Sequence, residues 1–382
     1  MEFSERIKAL PRYLFAELDS KKQALREQGV DLIDLSVGDP DLPTPQGVVW
    51  KMAEEVAVPE NHHYPDYDGL LGFREAVSRW YGRRFGVALD PRSEVMALIG
   101  SKEGIAHLPL AFVDPGDYVL VPDPGYPVYR ASTILAGGRP FPLPLKEERG
   151  FLPDLAAVPE DVARGAKVLF LNYPNNPTGA VASKDFFREA VAFAKEFDVV
   201  LYHDAAYSEL YFEVPPPSFL EVPGAKEVGV EFHSLSKTYR MTGWRIGFVV
   251  GNAEVLQGLG KVKSNVDSGL FNAIQRTGVW VLDADPEADE WRSILRRRRD
   301  ILVEGLKGLG FDVRPPKATF YLWLRVPEGH TSASFAEKLL LDAGVVVTPG
   351  VGFGEHGEGY IRMTFTLREE RLREAVERLR KL

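Results

Sequence analysis

Within the 382-residue chain, the segment HSLSKTYRMTGWRIGF gathers several reactive groups in a short span. Lys237 follows an apolar run and is flanked by Ser234 and Ser236, with Arg245 eight residues further on. A lone lysine is ordinarily a surface charge. Two hydroxyls and a guanidinium beside it suit a phosphate group, which arginine can grip with two parallel hydrogen bonds. An amine kept out of water near a second cation loses its proton more readily. It then becomes the neutral nucleophile that Schiff-base chemistry requires.

Three other segments point the same way, each with a plainer alternative. VVLYHDAAYSEL sets Asp204 at the end of an apolar run, where open α/β sheets gather ligand groups. A buried, unpaired carboxylate is costly, and a protonated ring nitrogen would be a suitable partner. By spacing alone Asp204 is equally an N-cap for the next segment. LNYPNNPTGA is a rigid turn after a strand; it is only that, or it aims the Asn176 side chain at a ring phenolate oxygen. In MALIGSKEGIAHLPLAFV a strand ends at Gly100 and a helix opens at Ser101. Free N–H groups at a helix start bind phosphate, although Ser101 can be a plain cap and Lys102 a solvent-facing charge.

Two signals carry no site. GFGEHG, from Gly352 to Gly357, matches the letters of a dinucleotide fingerprint. Such a site needs the glycines to follow a strand and open a helix, whereas here the strand-like YIRMTF comes next. His62 and His63 are adjacent, so in extended chain they point apart. No metal is expected.

The elements that must position these residues alternate. AKVLFLNYP, VVLYHDAAY, VGVEFHSLS and WRIGFVVG read as buried strands, short, β-branched or aromatic, and ended by turn residues. SKDFFREAVAFAKEFD, between two of them, reads as a helix opened by Ser183. The fold class is therefore α/β, a mainly parallel sheet between helices. A long charged helix is expected from about Glu287 to Gly310. Beyond it FDVRPPKATFYLWLRVP, GVVVTPGVGF and GYIRMTFT read as strands and REERLREAVERLRKL as a closing helix, giving a smaller α+β domain.

Composition narrows the class further. The chain is 45% hydrophobic and 26% charged, an ordinary globular balance. It contains no cysteine, which removes disulfides, thiolate metal sites and cysteine nucleophiles and fits a reducing compartment. A net charge of −9 argues against a nucleic-acid partner. The basic run Arg296 to Arg299 reads as a solvated helix face. The charged N-terminus lacks the apolar core of a signal peptide, and no stretch approaches the ~20 apolar residues of a membrane span. The expected location is cytoplasmic, with no membrane partner.

The ordered set SKEG, DPGYPVY, NNPTG, HDAAY, SLSKT with TGWRIG, and YIRMTF resembles the class I/II aminotransferases of pyridoxal 5′-phosphate (PLP) fold type I, over nearly the whole chain. GSKEGI, DPGYPVY and KSNVDSGLFNAIQ look most like the LL-diaminopimelate aminotransferase branch, close to relatives that take aspartate, alanine or aromatic amino acids.

The resemblance implies a PLP enzyme that moves an amino group between an L-amino acid and a 2-oxo acid, with 2-oxoglutarate and glutamate as one pair. Lys237 would hold the cofactor and shuttle the proton, and Asp204 would pair with the ring nitrogen. Asn176 and Tyr207 would bond the phenolate oxygen, and Tyr126 would stack on the ring. Ser101, Lys102, Ser234, Ser236 and Arg245 would hold the phosphate. Tyr64, or Tyr67 in its place, would reach the phosphate of a neighbouring subunit. Arg362 would grip the substrate carboxylate, helped by the backbone at Gly38, with Asn176, Tyr13 and Asn265 facing the substrate. It also implies a homodimer with shared active sites and a small domain built from both chain ends: 1–44 an N-terminal arm and part of that domain, 45–285 the large domain, 286–382 the rest. A PLP β-lyase is disfavoured by TGWRIG and Arg362. A non-enzymatic sensor is disfavoured because SVGDP already begins at Ser36.

Overall fold

The computed structural model describes residues 1–10 and 16–381. Twelve strands occur among them: β1 (Ile33–Asp34), β2 (Val95–Leu98), β3 (Tyr118–Asp123), β4 (Arg139–Pro144), β5 (Ala166–Asn172), β6 (Val200–Asp204), β7 (Gly229–Ser234), β8 (Gly247–Gly251), β9 (Tyr321–Arg325), β10 (Val345–Val346), β11 (Thr348–Pro349) and β12 (Tyr360–Thr364).

Seven of them form one sheet in the order β2-β8-β7-β6-β5-β3-β4. Its strands run parallel from β4 across to β7, and β8 is antiparallel to both β7 and β2. Side chains alternate between the two faces, as the pleat requires. Leu169, Leu171 and Leu201 enter one apolar core, while Val168, Phe170 and Tyr202 enter another on the opposite face. Helices cover both faces, so these strands carry apolar residues on both sides rather than on one. The helix Lys184–Phe197 opens as expected, with Ser183 Oγ accepting from the Phe186 N–H at 3.3 Å.

A third core lies around a three-stranded antiparallel sheet, β11-β12-β9. Ile33 and Leu35, far ahead of it in sequence, join this core, and β1 pairs in parallel with β10. The long helix spans Ala288–Gly308 and the closing helix Glu369–Leu379. The long strand expectations shrink here: prolines and glycines restrict pairing to Tyr321–Arg325 and to two-residue pieces at Val345 and Thr348.

One expectation is overturned. Arg298 and Arg299 are buried, at 3% and 7% exposure, rather than part of a solvated face. Four consecutive helical residues wrap right round the axis, so some must face inward. Arg298 forks onto the Asp41 carboxylate at 2.7 and 3.0 Å. Arg299 donates to Glu213 at 2.9 Å and to the Pro316 carbonyl at 3.2 Å. Both charges are paired, which is what makes their burial tolerable.

Candidate active site

The carboxyl ends of β5, β6 and β7 open on a cavity of about 390 Å³, whose far wall comes from the loop at Gly38 and the small sheet. Gly38, Ser101, Lys102, Tyr126, Asn176, Asp204, Tyr207, Ser234, Ser236, Lys237, Arg245 and Arg362 all line it. Residues scattered through the sequence thus meet at one place, where a parallel sheet delivers its strand ends.

Lys237 lies in the single turn Leu235–Thr238 that follows β7. Its Nζ donates to the Gly38 carbonyl at 3.0 Å, and the Trp291 indole holds its own carbonyl at 3.1 Å. Burial lowers the ammonium pKa to about 8; Arg245 and Arg362 push it the same way, and Asp39 resists. The neutral amine is accessible near physiological pH, as a nucleophile requires.

Asp204 ends β6 and is buried. Tyr129 donates to Oδ2 at 2.8 Å, and the Ala206 N–H to Oδ1 at 3.2 Å. Burial raises the carboxyl above its ordinary value, because these two bonds offset only part of the lost hydration. Its backbone is tied as well: Asn172 Nδ2 donates to the Asp204 carbonyl at 2.7 Å, and Asn172 Oδ1 accepts from the Asn176 N–H at 2.9 Å. The turn carrying Asn176 is therefore anchored to the strand carrying Asp204.

Arg362, on β12, sits between two rings, with its guanidinium carbon 4.2 Å from the Tyr321 centroid and 4.7 Å from that of Phe353. It donates to Asn176 Oδ1 at 2.8 Å and to the Ser36 carbonyl at 2.7 Å, while its Nε is buried without a partner. Such an arginine is a planar fork clamped in one orientation, suited to a carboxylate. Tyr321 also shares a 3.0 Å hydrogen bond with Tyr207. Its hydroxyl occupies the space a side chain at Gly38 would need, so only glycine fits there.

The donor set fits a phosphorylated aromatic aldehyde. Ser236 Oγ is buried with no hydrogen-bond partner. Ser234 caps the turn, its Oγ accepting from the Ser236 N–H at 3.2 Å. Arg245 adopts a left-handed φ of 57° and lays its guanidinium where a Cβ on Gly100 would collide with it. Strain of this kind at a non-glycine residue accompanies sites that need one orientation. The group held by these residues would face Asp204 across the cavity, with Tyr126 alongside.

Several expected residues are elsewhere. Asn265 sits near the exposed end of the helix Ala253–Val266, its amide turned back onto the Lys261 carbonyl at 2.8 Å, and it does not line the cavity of its own chain. Tyr64 is 89% exposed and Tyr67 lines a separate groove with Asp66 and Arg74; neither reaches the cavity of its own chain. Tyr13 lies outside the described residues.

Among the lining residues missed by sequence reading are Tyr129, Asn172, Tyr321 and Phe353. Tyr129 carried a usable signal, since it stands one helical turn beyond Tyr126 in DPGYPVY and so shares its side. Asn172 stands in the LNYPNNPTGA turn already singled out, whereas Tyr321 and Phe353 had no local signal, because their role depends on distant elements meeting.

The family model for aminotransferase class I and II matches residues 30–379. The chain is 57% identical over 383 residues to an LL-diaminopimelate aminotransferase of Aquifex aeolicus, covering 100% of this chain and 99% of that one. Among solved structures it is similar to substrate-bound BacF from Bacillus subtilis, at 39% identity and a TM-score of 0.94, covering 100% and 98%. It is also similar to a probable N-succinyldiaminopimelate aminotransferase of Thermus thermophilus, at 43% identity and a TM-score of 0.91, covering 96% and 99%. The chain belongs to the class I and II aminotransferase family. Its activity is that of a PLP-dependent transaminase. No helix among the described residues is long and apolar enough to cross a membrane.

Proposed function

We propose that this enzyme transfers the amino group of LL-diaminopimelate to 2-oxoglutarate, giving glutamate, as a step of lysine synthesis. The observation that carries the chemistry is the shared cavity: the Lys237 amine, the Asp204 carboxylate and the ring-clamped Arg362 all face it. The full-length 57% identity to an enzyme of that name supports the substrate.

Bound PLP would supply an aldehyde for exchange of amines and a protonated ring that accepts electron density from the substrate. The chain's residues do the rest. Arg362, with the backbone at Gly38, binds the substrate carboxylate and so orients the Cα–H bond for breakage. Lys237 Nζ, neutral once displaced, would take the Cα proton and deliver it to the carbon that had carried the cofactor's aldehyde oxygen. Asp204 would keep the ring nitrogen protonated by offering it a buried anionic partner. Asn176 and Tyr207 would donate to the phenolate oxygen, and Tyr126 would cover one ring face. Ser101, Lys102, Ser234, Ser236 and Arg245 would hold the phosphate and so keep the ring in place while bonds at Cα change.

The reading extends to a cytoplasmic homodimer. Trp50 at 66% exposure and Tyr64 at 89% supply apolar surface that suits a second copy, with Tyr64 reaching that copy's phosphate. The division at 44 and 285 stands as a further part of the reading, the small lobe closing over substrate.

A screen of LL-diaminopimelate, aspartate, alanine, glutamate and aromatic amino acids with 2-oxoglutarate as acceptor tests this. Turnover is expected to be fastest with LL-diaminopimelate. Turnover with aspartate, alanine or an aromatic amino acid but not with LL-diaminopimelate would refute the substrate and leave the reaction class intact.

A further inference from the structure

On the sheet face opposite Asp204 lies a second buried carboxylate that the reaction does not use. Glu231 is fully buried at the middle of β7, one register step from Asp204. Its Oε1 accepts from the Tyr81 hydroxyl at 2.6 Å and pairs with His233 Nε2 at 2.8 Å. Its Oε2 pairs with His203 Nδ1 at 2.8 Å and accepts from Ser218 Oγ at 2.9 Å and the Phe219 N–H at 3.1 Å. The titratable groups facing it are Tyr81 from the helix Leu71–Phe85, His203 from β6 and His233 from β7 itself.

Each imidazole reaches onward. His203 Nε2 accepts from the Tyr173 N–H at 3.2 Å, so that nitrogen carries no proton and the Nδ1–H faces Glu231. Tyr173 enters the turn that carries Asn176. His233 Nδ1 meets Ser208 Oγ at 3.4 Å, directly after Tyr207. The two arms thus end beside the two residues read above as donors to the phenolate oxygen.

We propose that Glu231 is a positioning residue for the cofactor cavity, fixing through His203 and His233 the two loops that aim Asn176 and Tyr207. The inference rests on the assignment of those two residues as phenolate donors. Burial alone would raise the Glu231 carboxyl, but the hydrogen bonds from His203 and His233 outweigh it and hold the group well below the usual carboxylate range. An acceptor that stays ionised keeps all five donors pointed at it. A neutral amide of the same shape would turn an NH2 toward donors, forcing His233 to change tautomer and reverse its bond to Ser208.

The test uses the PLP-loaded enzyme and reads the pH at which the visible absorbance of the bound cofactor changes. Donors to the phenolate oxygen withdraw charge from it and lower the proton affinity of the nitrogen beside it. Glu231→Gln and His203→Asn are therefore each expected to move that transition upward by about half to one pH unit. His203→Asn retains a donor toward Glu231 and removes only the acceptor for Tyr173. It decides the matter alone if Glu231→Gln does not fold. Phe187→Leu, which trims a ring packed 5.0 Å from His203, controls for loosened packing. It is expected to lower the melting temperature and leave the transition where it is.

An unmoved transition in a folded, loaded variant would overturn the proposal, as would an equal shift in Phe187→Leu. Failure of the underlying functional reading would look different, as wild-type protein that shows no visible absorbance with PLP. In the protein without PLP, the ring-nitrogen NMR signals of His203 should still report the Nδ1–H tautomer at neutral pH. The opposite tautomer would break the His203 arm whatever the cofactor does.

Discussion

Asp204 and Glu231 occupy neighbouring strands and are both shut off from water, yet their surroundings push them in opposite directions. Asp204 has two donors, a phenol and a backbone N–H, and its carboxyl is raised by burial. Glu231 has five, and its carboxyl is held low against burial by His203 and His233. One faces the cavity and the other faces a sealed core. Donor count separates the two uses of a buried acid. A saturated carboxylate organises the protein around it. An under-supplied one is left able to take a cationic partner, which under the proposed function would be a ring nitrogen.

The largest effect expected at the cavity is from Lys237→Ala, which should remove turnover by a factor of about 10⁴ or more. Turnover that survives without added amine would put the proton transfer elsewhere. Next comes Asp204→Asn, which keeps the shape and removes the anion. Single-turnover conversion of the bound cofactor should slow by roughly 10²–10³-fold, the worth of a well-placed charge interaction at the reacting centre. Glu231→Gln should slow it by less than about tenfold. Equal losses in the two variants would erase the distinction between them.

Arg362→Ala should act mainly on affinity. Loss of a clamped carboxylate partner should raise KM for the amino acid by about 10²-fold, with a smaller change in kcat. An unchanged KM would place the carboxylate grip elsewhere.

The smallest effects concern stability without PLP. Glu231→Gln should lower unfolding free energy by roughly 1–3 kcal/mol, since buried donors lose their acceptor. Asp204→Asn should leave it unchanged within about 0.5 kcal/mol or raise it. Their pH dependences have opposite signs. The Glu231 contribution is complete above the ordinary carboxylate range and is lost as pH falls through its lowered folded value. The Asp204 penalty is absent in acid and sets in as pH rises through its raised folded value. Denaturant melts of the two variants between acid and neutral pH would check both signs.

Local chemistry was legible in the sequence wherever neighbours in the chain are neighbours in space. Ser234, Ser236 and Lys237 share one turn, Asp204 ends an apolar strand, and Ser183 opens a helix, and each follows from a few adjacent residues. Residues that depend on pairing across the fold were not legible. Nothing near Tyr321 announces that its ring will support Arg362, because β9 and β12 meet only through their register. His203 and Glu231 likewise become partners only when β6 lies beside β7. Asn265 was carried over from the family resemblance, and in this chain its amide turns back onto the Lys261 carbonyl, outside the cavity. The Arg296–Arg299 run misled because charge was taken for exposure, and Asp41 and Glu213, far off in sequence, pair the two inward arginines.

The role of Lys237 can be read most directly by reducing the PLP-loaded enzyme with borohydride, digesting it and locating the modified peptide by mass spectrometry. The expected result is a phosphopyridoxyl group on Lys237 alone, because that amine faces the cavity with Ser236 and Arg245 and has its pKa lowered to about 8 by loss of hydration. Modification instead at Lys102, which shares the cavity, or at Lys263, which is pinned between Glu103 and Asp267, would contradict the account.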